Sequence, residues 1–284
     1  MGKLSSREWA TIVWGIIILF YIITKKTIRI SIFNLIKTFF DKHLILLWIV
    51  YISYVLGMTF LYSLLPFWKN AFIKDIIIWS LFSGLIYLLN AASREADETY
   101  IIKIVKDSFN FFIIFEFILS TFTFSLFSEL LIIPIFTIIF TINLIYERDL
   151  EYQNLYKLTN YILNIIGFIF IFKTIEVGIN EYHQLNILDT LISFLIPIIY
   201  LISTLPLIYV ISLYSKYQSL FLRMSFKEGE NKEINKKRHF KVLKTCNISI
   251  KRVIIFTYEF LPSIYKKMSE EEFDNLLNEF KNKN

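Results

Sequence analysis

Residues 109–127 read Phe-Asn-Phe-Phe-Ile-Ile-Phe-Glu-Phe-Ile-Leu-Ser-Thr-Phe-Thr-Phe-Ser-Leu-Phe. About 20 helical residues cross a hydrocarbon core roughly 30 Å thick. This run supplies them with a single ionisable side chain, Glu116. A carboxylate inside such a span is costly, so it faces protein or water, or it is protonated. Two readings follow. Glu116 is an ion or proton site, or it is a neutral acid that hydrogen-bonds a neighbouring helix and holds a bundle together.

The rest of the chain repeats the pattern. Of its 284 residues, 56% are hydrophobic, 18% aromatic and 19% charged. A soluble domain is nearer 45–50% apolar and about 25% charged. Seven apolar segments satisfy the length rule, with limits near 9–24, 44–65, 71–92, 109–127, 130–146, 158–178 and 188–214. None alternates like a barrel strand, so the expected fold is an all-α polytopic membrane bundle of about seven helices. The run after Trp9 is long for a signal peptide and lacks a small-residue cleavage site, so it is read as retained. Ser128 and Glu129 are read as the link between the fourth and fifth spans, with Pro134 in the first turn of the fifth, where proline is tolerated. The alternative for 109–146 is a re-entrant hairpin, which removes two crossings together.

Lysine and arginine set the orientation. The first, third and fifth connections carry Lys25, Lys26, Arg29, Lys37, Lys42, Arg94, Lys103, Lys106, Arg148 and Lys157. The opposite side carries Lys3, Arg7, Lys69 and Lys74. This bias places the N-terminus outside and the C-terminus in the cytoplasm, in the cell (inner) membrane. Residues 1–215 form the transmembrane domain and 216–284 a basic helical tail, with 15 Lys+Arg against 9 Asp+Glu in the tail.

Within the bundle, Asn143, Asn160 and Asn164 are polar positions suited to interhelical hydrogen bonds, and Asn160 and Asn164 are placed to reach Glu116. Lys173 pairs with Glu176 at i+3 or snorkels to the interface. Asn90, Arg94, Asp97 and Glu98 continue one face of the third span past the inner boundary, as a solvated helix end or a cytoplasmic pore mouth. In the tail, Phe240, Leu243, Asn247, Ile250 and Ile254 fall on one helical stripe, and Lys241, Lys244, Lys251 and Arg252 on another. That pattern suits packing, or binding of anionic lipid or a cytoplasmic partner. Lys227–Lys237 is read as a flexible charged connector. Ser269 and Glu272 form a capping box for a last helix carrying Phe273, Leu276, Leu277 and Phe280.

The lone Cys246 excludes an intramolecular disulfide and a cysteine metal site, and His43, His183 and His239 are scattered. No metal or cofactor is expected. No phosphate-binding loop, dinucleotide fingerprint or hydrolase motif is present, so the chain is not expected to be an enzyme. Pro206-Leu207-Ile208-Tyr209 resembles the end of the Asn-Pro-x-x-Tyr motif of G-protein-coupled receptors, with Leu205 in the asparagine position. Four residues assign no family. The expected function is an ion- or small-solute-conducting channel or transporter gated through its tail. The rivals are a signalling or effector protein, such as a membrane-depolarising effector of a bacterial defence system, and a structural subunit of a membrane complex. Expected partners are the lipid bilayer, further copies or subunits, and no specific nucleic acid.

Overall fold

The structure is a computed structural model that describes residues 5–93, 99–108, 123–147, 151–181, 187–229 and 231–283. It is all helical, without a strand among the described residues. Among the described residues six helices are long and apolar enough to cross a membrane. Of the run 109–127, residues 109–122 lie outside the described part, and Glu116 with them.

The helices in chain order are α1 (Ser6–Thr24), α2 (Lys26–Phe39), α3 (Lys42–Ser63), α4 (Phe72–Ala92) and α5 (Thr99–Ser108). There follow α6 (Leu126–Tyr146), α7 (Gln153–Glu181), α8 (Ile187–Ser225), α9 (Lys232–Cys246), α10 (Ile250–Ile255) and α11 (Glu270–Lys283). Two compact units emerge, Met1–Lys74 with Asn110–Leu195, and Asp75–Phe109 with Ile196–Asn284.

In the first unit α1 packs on α6 and α6 on α7. Burial there is sparse. Only Ala10 of α1 is buried, and α2 buries nothing. Phe20, Phe168 and Phe172 are each about 70% exposed or more. A soluble monomer rarely leaves contiguous apolar surface beyond a few hundred Å². These helices carry it along their full length, as lipid-facing helices do.

Two details of α6 correct the sequence reading. The helix begins at Leu126, capped by the Ser125 hydroxyl, which accepts from the Ser128 backbone N–H at 3.3 Å. Ser128 and Glu129 therefore belong to its first turn and do not link two spans. Pro134 then lies in the helix interior, nine residues in, where it withdraws a backbone donor from the Leu130 carbonyl. The Trp14 indole of α1 replaces that donor, at 2.8 Å.

The second unit is built on α8, which runs 39 residues without interruption, about 58 Å. Along its upper part the Tyr200 ring lies 5.8 Å from the Trp79 ring of α4. Trp79 immediately precedes a π-helical turn at Ser80–Gly84. The Ser215 hydroxyl donates to the Ala92 carbonyl at 2.7 Å. At its lower end Tyr217, Leu220 and Met224 enter an apolar core completed by Val242, Cys246, Val253, Phe256, Phe260, Phe273, Leu277 and Phe280. The 215/216 division expected from composition thus lies inside one helix.

The tail's expected stripe is overturned. Asn247 takes φ 54°, ψ −142° and ends α9, and Ser249 caps α10 through the Arg252 N–H. This break rotates the two halves apart. The buried face of α9 is Arg238, Val242, Thr245 and Cys246, while Phe240 and Leu243 are exposed. The connector is also shorter and more ordered than expected, because Asn231 caps α9 and Glu228 is buried.

Candidate functional site

Among the described residues, four of the apolar helices start with a carboxylate in the first turn: Glu8 on α1, Asp75 on α4, Glu129 on α6 and Asp189 on α8. Each complements the positive end of its helix dipole. In the first unit three cations pair with Glu129, Glu8 and Asp189. Arg7 reaches Glu129 through Nη2 at 2.9 Å and Nε at 3.1 and 3.2 Å. Lys74 meets Glu8 at 3.1 Å, and Lys69 meets Asp189 at 2.6 Å. Within the first unit these pairs join the start of α1 to that of α6 and to Lys74.

Glu129 is the most constrained member. Its side chain is 1% exposed, against 27% for Arg7. Its Oε1 also accepts from the Phe124 backbone N–H at 3.1 Å. Arg7, Ala10 and Trp14 lie on one face of α1, at i, i+3 and i+7. That face meets α6 by an ion pair, by a fully buried small residue and by the indole on Leu130. The capping box of α1, Ser5 with Glu8, fixes where this face begins. Sequence reasoning treated Glu129 as linker. The signal that finds it is Ser125 ahead of an apolar run, a helix-start signature that puts Glu129 in the first turn.

Asn143 makes the interhelical bond expected of it. Its amide donates to Thr159 Oγ1 at 3.0 Å and to the Tyr156 carbonyl at 3.3 Å, joining α6 to α7. Asn160 and Asn164 are exposed, and the expected Glu116 contact lies outside the described residues. Lys173 pairs with Glu176 at 2.7 Å, as i+3 spacing predicts. Asn90 is exposed at the end of α4, where its carbonyl accepts from the Ser93 hydroxyl at 2.7 Å. Arg94, Asp97 and Glu98 lie outside the described residues.

The tail cations divide into two kinds. Lys241 contacts Asp274 at 2.6 Å and Glu270 at 3.2 Å. The Asp274 bond raises its pKa above the usual lysine value. Burial pushes Glu270 up, but bonds from Arg238 and Lys241 outweigh that and hold its carboxyl below the usual range. Arg252 lies over the Phe280 ring, 5.4 Å from its centroid. Lys244 and Lys251 are exposed. Burial pushes the Cys246 thiol up to about 12, leaving it protonated and unreactive. Among the described residues no cluster of His, Cys, Asp and Glu has the arrangement of a metal site.

The tail is tied to α8 by polar bonds as well. The Tyr209 hydroxyl donates to the Ile248 carbonyl at 2.5 Å, and Tyr217 donates to the Asn247 carbonyl. His239 bonds Glu228 at 2.9 Å, and its ring stacks on Phe221 of α8, 4.5 Å between centroids. No protein-family model, curated protein or solved structure matches the chain.

Proposed function

We propose that the chain is an integral protein of the cell (inner) membrane that crosses seven times and conducts an ion or small solute under control of its cytoplasmic tail. The observation that carries this reading is α8. One continuous 39-residue helix is apolar enough to span and also supplies Tyr217, Leu220 and Met224 to the tail core. A helix shared by both parts gives a change in either a physical route to the other.

The crossing count draws on the apolar run 109–127. The 21 residues of α4 measure about 32 Å, enough for one crossing. A return crossing belongs between Ala92 and Ser125, where the apolar run 109–127 lies. The lysine and arginine bias sets the N-terminus outside and the tail inside. Glu116 is the proposed intramembrane site, with Arg94, Asp97 and Glu98 at the inner mouth. The chain works without a catalytic centre or cofactor.

Flux from liposomes holding the purified full chain tests this. The wild type passes a small ion or solute, and Glu116→Gln changes rate or selectivity. Silence of both, with unaltered behaviour of Glu116→Gln in cells, overturns conduction. A structural or effector role is the second reading, favoured by the sparse burial of α1 and α2. Co-purification of a stoichiometric second protein would support it.

A further inference from the structure

Where α8 passes into the tail it forms one wall of an open groove of about 600 Å³, lined by Val210, Leu213, Tyr214, Tyr217 and Phe221 of α8. Leu243 and Ile248 line the other side. Gln218 and Asn247 supply the polar side chains. We infer that this groove holds an acyl chain of an anionic phospholipid of the inner leaflet, with Lys244 and Lys251 flanking its headgroup. The inference rests on the membrane reading above.

Three observations select this occupant. The first is continuity. Val210, Leu213 and Tyr214 belong to the apolar run that ends near Tyr214, and Tyr217, Gln218 and Phe221 follow it, so the groove straddles the end of the span. The second is dimension. From Val210 to Phe221 the helix rises about 16 Å, roughly half of a 30 Å hydrocarbon core and hence the reach of one leaflet's chain. A volume of about 600 Å³ lies within the ~300–1,000 Å³ of small-molecule sites.

The third is charge. Residues 190–227 contain no carboxylate, and neither do residues 234–258, so both walls of the groove come from acid-free sequence. The second segment carries Lys236, Lys237, Arg238, Lys241, Lys244, Lys251 and Arg252. Arg238 and Lys241 are engaged by α11 carboxylates, whereas Lys244 and Lys251 are exposed next to the groove residues Leu243, Asn247 and Ile248. Glu228, in the linker between the two segments, is buried on His239. An apolar slot with a cationic rim at the end of a span matches a phospholipid better than a neutral detergent or an acidic peptide.

The test uses the purified full chain in detergent, mixed with phosphatidylglycerol or phosphatidylcholine of identical chains and read by native mass spectrometry. The wild type retains phosphatidylglycerol with a preference of about 30-fold, the worth of two lysines at an anionic surface. Lys244→Gln with Lys251→Gln removes most of the preference. Lys266→Gln with Lys267→Gln does not. Val210→Trp and Leu243→Trp, both at exposed positions of the groove, reduce retention of both lipids. Equal retention of the two lipids by the wild type, or wild-type retention by both groove-filling variants, overturns the inference. So does a wild-type dimer that either tryptophan converts to monomer, because a second copy then fills the groove. Carbonate extraction of native membranes separates the two levels. Release of the chain overturns the membrane reading, and a resistant chain without lipid preference overturns the groove alone.

Discussion

Replacing Arg7 by Met isolates the buried carboxylate of Glu129. The pair has three N–H···O contacts between 2.9 and 3.2 Å, and Glu129 is 1% exposed. Removing the cation from such a pair costs about 3–5 kcal/mol, because the remaining charge is desolvated and loses its partner. Removing the carboxylate by Glu129→Gln costs less, about 1–3 kcal/mol, since Arg7 is 27% exposed and rehydrates. The double variant Arg7→Met with Glu129→Leu restores most of the loss, because an apolar pair of similar volume needs no desolvation. At about 2–4 °C per kcal/mol, Arg7→Met lowers the midpoint of thermal unfolding in detergent by roughly 6–20 °C. Lys69→Met is the control. Its partner Asp189 is 33% exposed and Lys69 itself 50%, so the change stays near 1 kcal/mol or below. A buried-charge penalty at Glu129 is refuted if Arg7→Met shifts the midpoint no more than Lys69→Met, or if the double variant is worse than Arg7→Met alone.

Trp14→Phe leaves the Leu130 carbonyl without its indole donor and lowers stability by about 1–3 kcal/mol. Pro134→Ala restores a backbone donor and recovers much of that loss in the same thermal assay. Asn247→Gly relieves a backbone conformation that costs a non-glycine residue about 1–3 kcal/mol, so it raises the midpoint, whereas Asn247→Val lowers it. Asn143→Leu removes the α6–α7 amide bond and costs about 0.6 kcal/mol, near the average for membrane hydrogen bonds. The contribution of Glu270 to tail stability is complete above the ordinary carboxylate range. It fades as pH falls through its lowered value. That of Lys241 is complete below the ordinary lysine value and fades as pH rises through its raised one. Because both side chains are about 35–43% exposed, each effect stays under about 1 kcal/mol, and Asp274→Asn diminishes the alkaline one.

Most of the helices were legible because length and apolarity are local properties. The last helix was legible to the residue. Ser269 N–H donates to Glu272 at 2.7 Å, Glu272 N–H donates to the Ser269 hydroxyl at 3.1 Å, and Phe273, Leu276, Leu277 and Phe280 are buried. The Lys173–Glu176 and Asn143 bonds follow from spacing and from the cost of an unpaired amide in an apolar helix. What failed did so through boundaries. Placing the start of α6 four residues late turned Glu129 into linker and Pro134 into a tolerated first-turn proline, hiding both contacts of α1. Carrying one helical period through Asn247 put Phe240 and Leu243 on the packed face. Yet Asn tolerates positive φ, and Ser249 two residues on is a helix cap, so the break was written locally. The pairing of Arg7 with Glu129, 122 residues apart, has no local signal at all.

Conduction and a cytoplasmic tail both require the crossing pattern, so the decisive measurement is sidedness in native membranes. Single cysteines at Asn70, Ser93, Ser125 and Lys267, in a Cys246→Ser background, are treated with an impermeant maleimide before and after permeabilisation. With seven crossings, Asn70→Cys and Ser125→Cys react on intact cells, while Ser93→Cys and Lys267→Cys react only after permeabilisation. Labelling of Ser93→Cys and Ser125→Cys from the same side contradicts that count, because the chain then makes no crossing between α4 and α6.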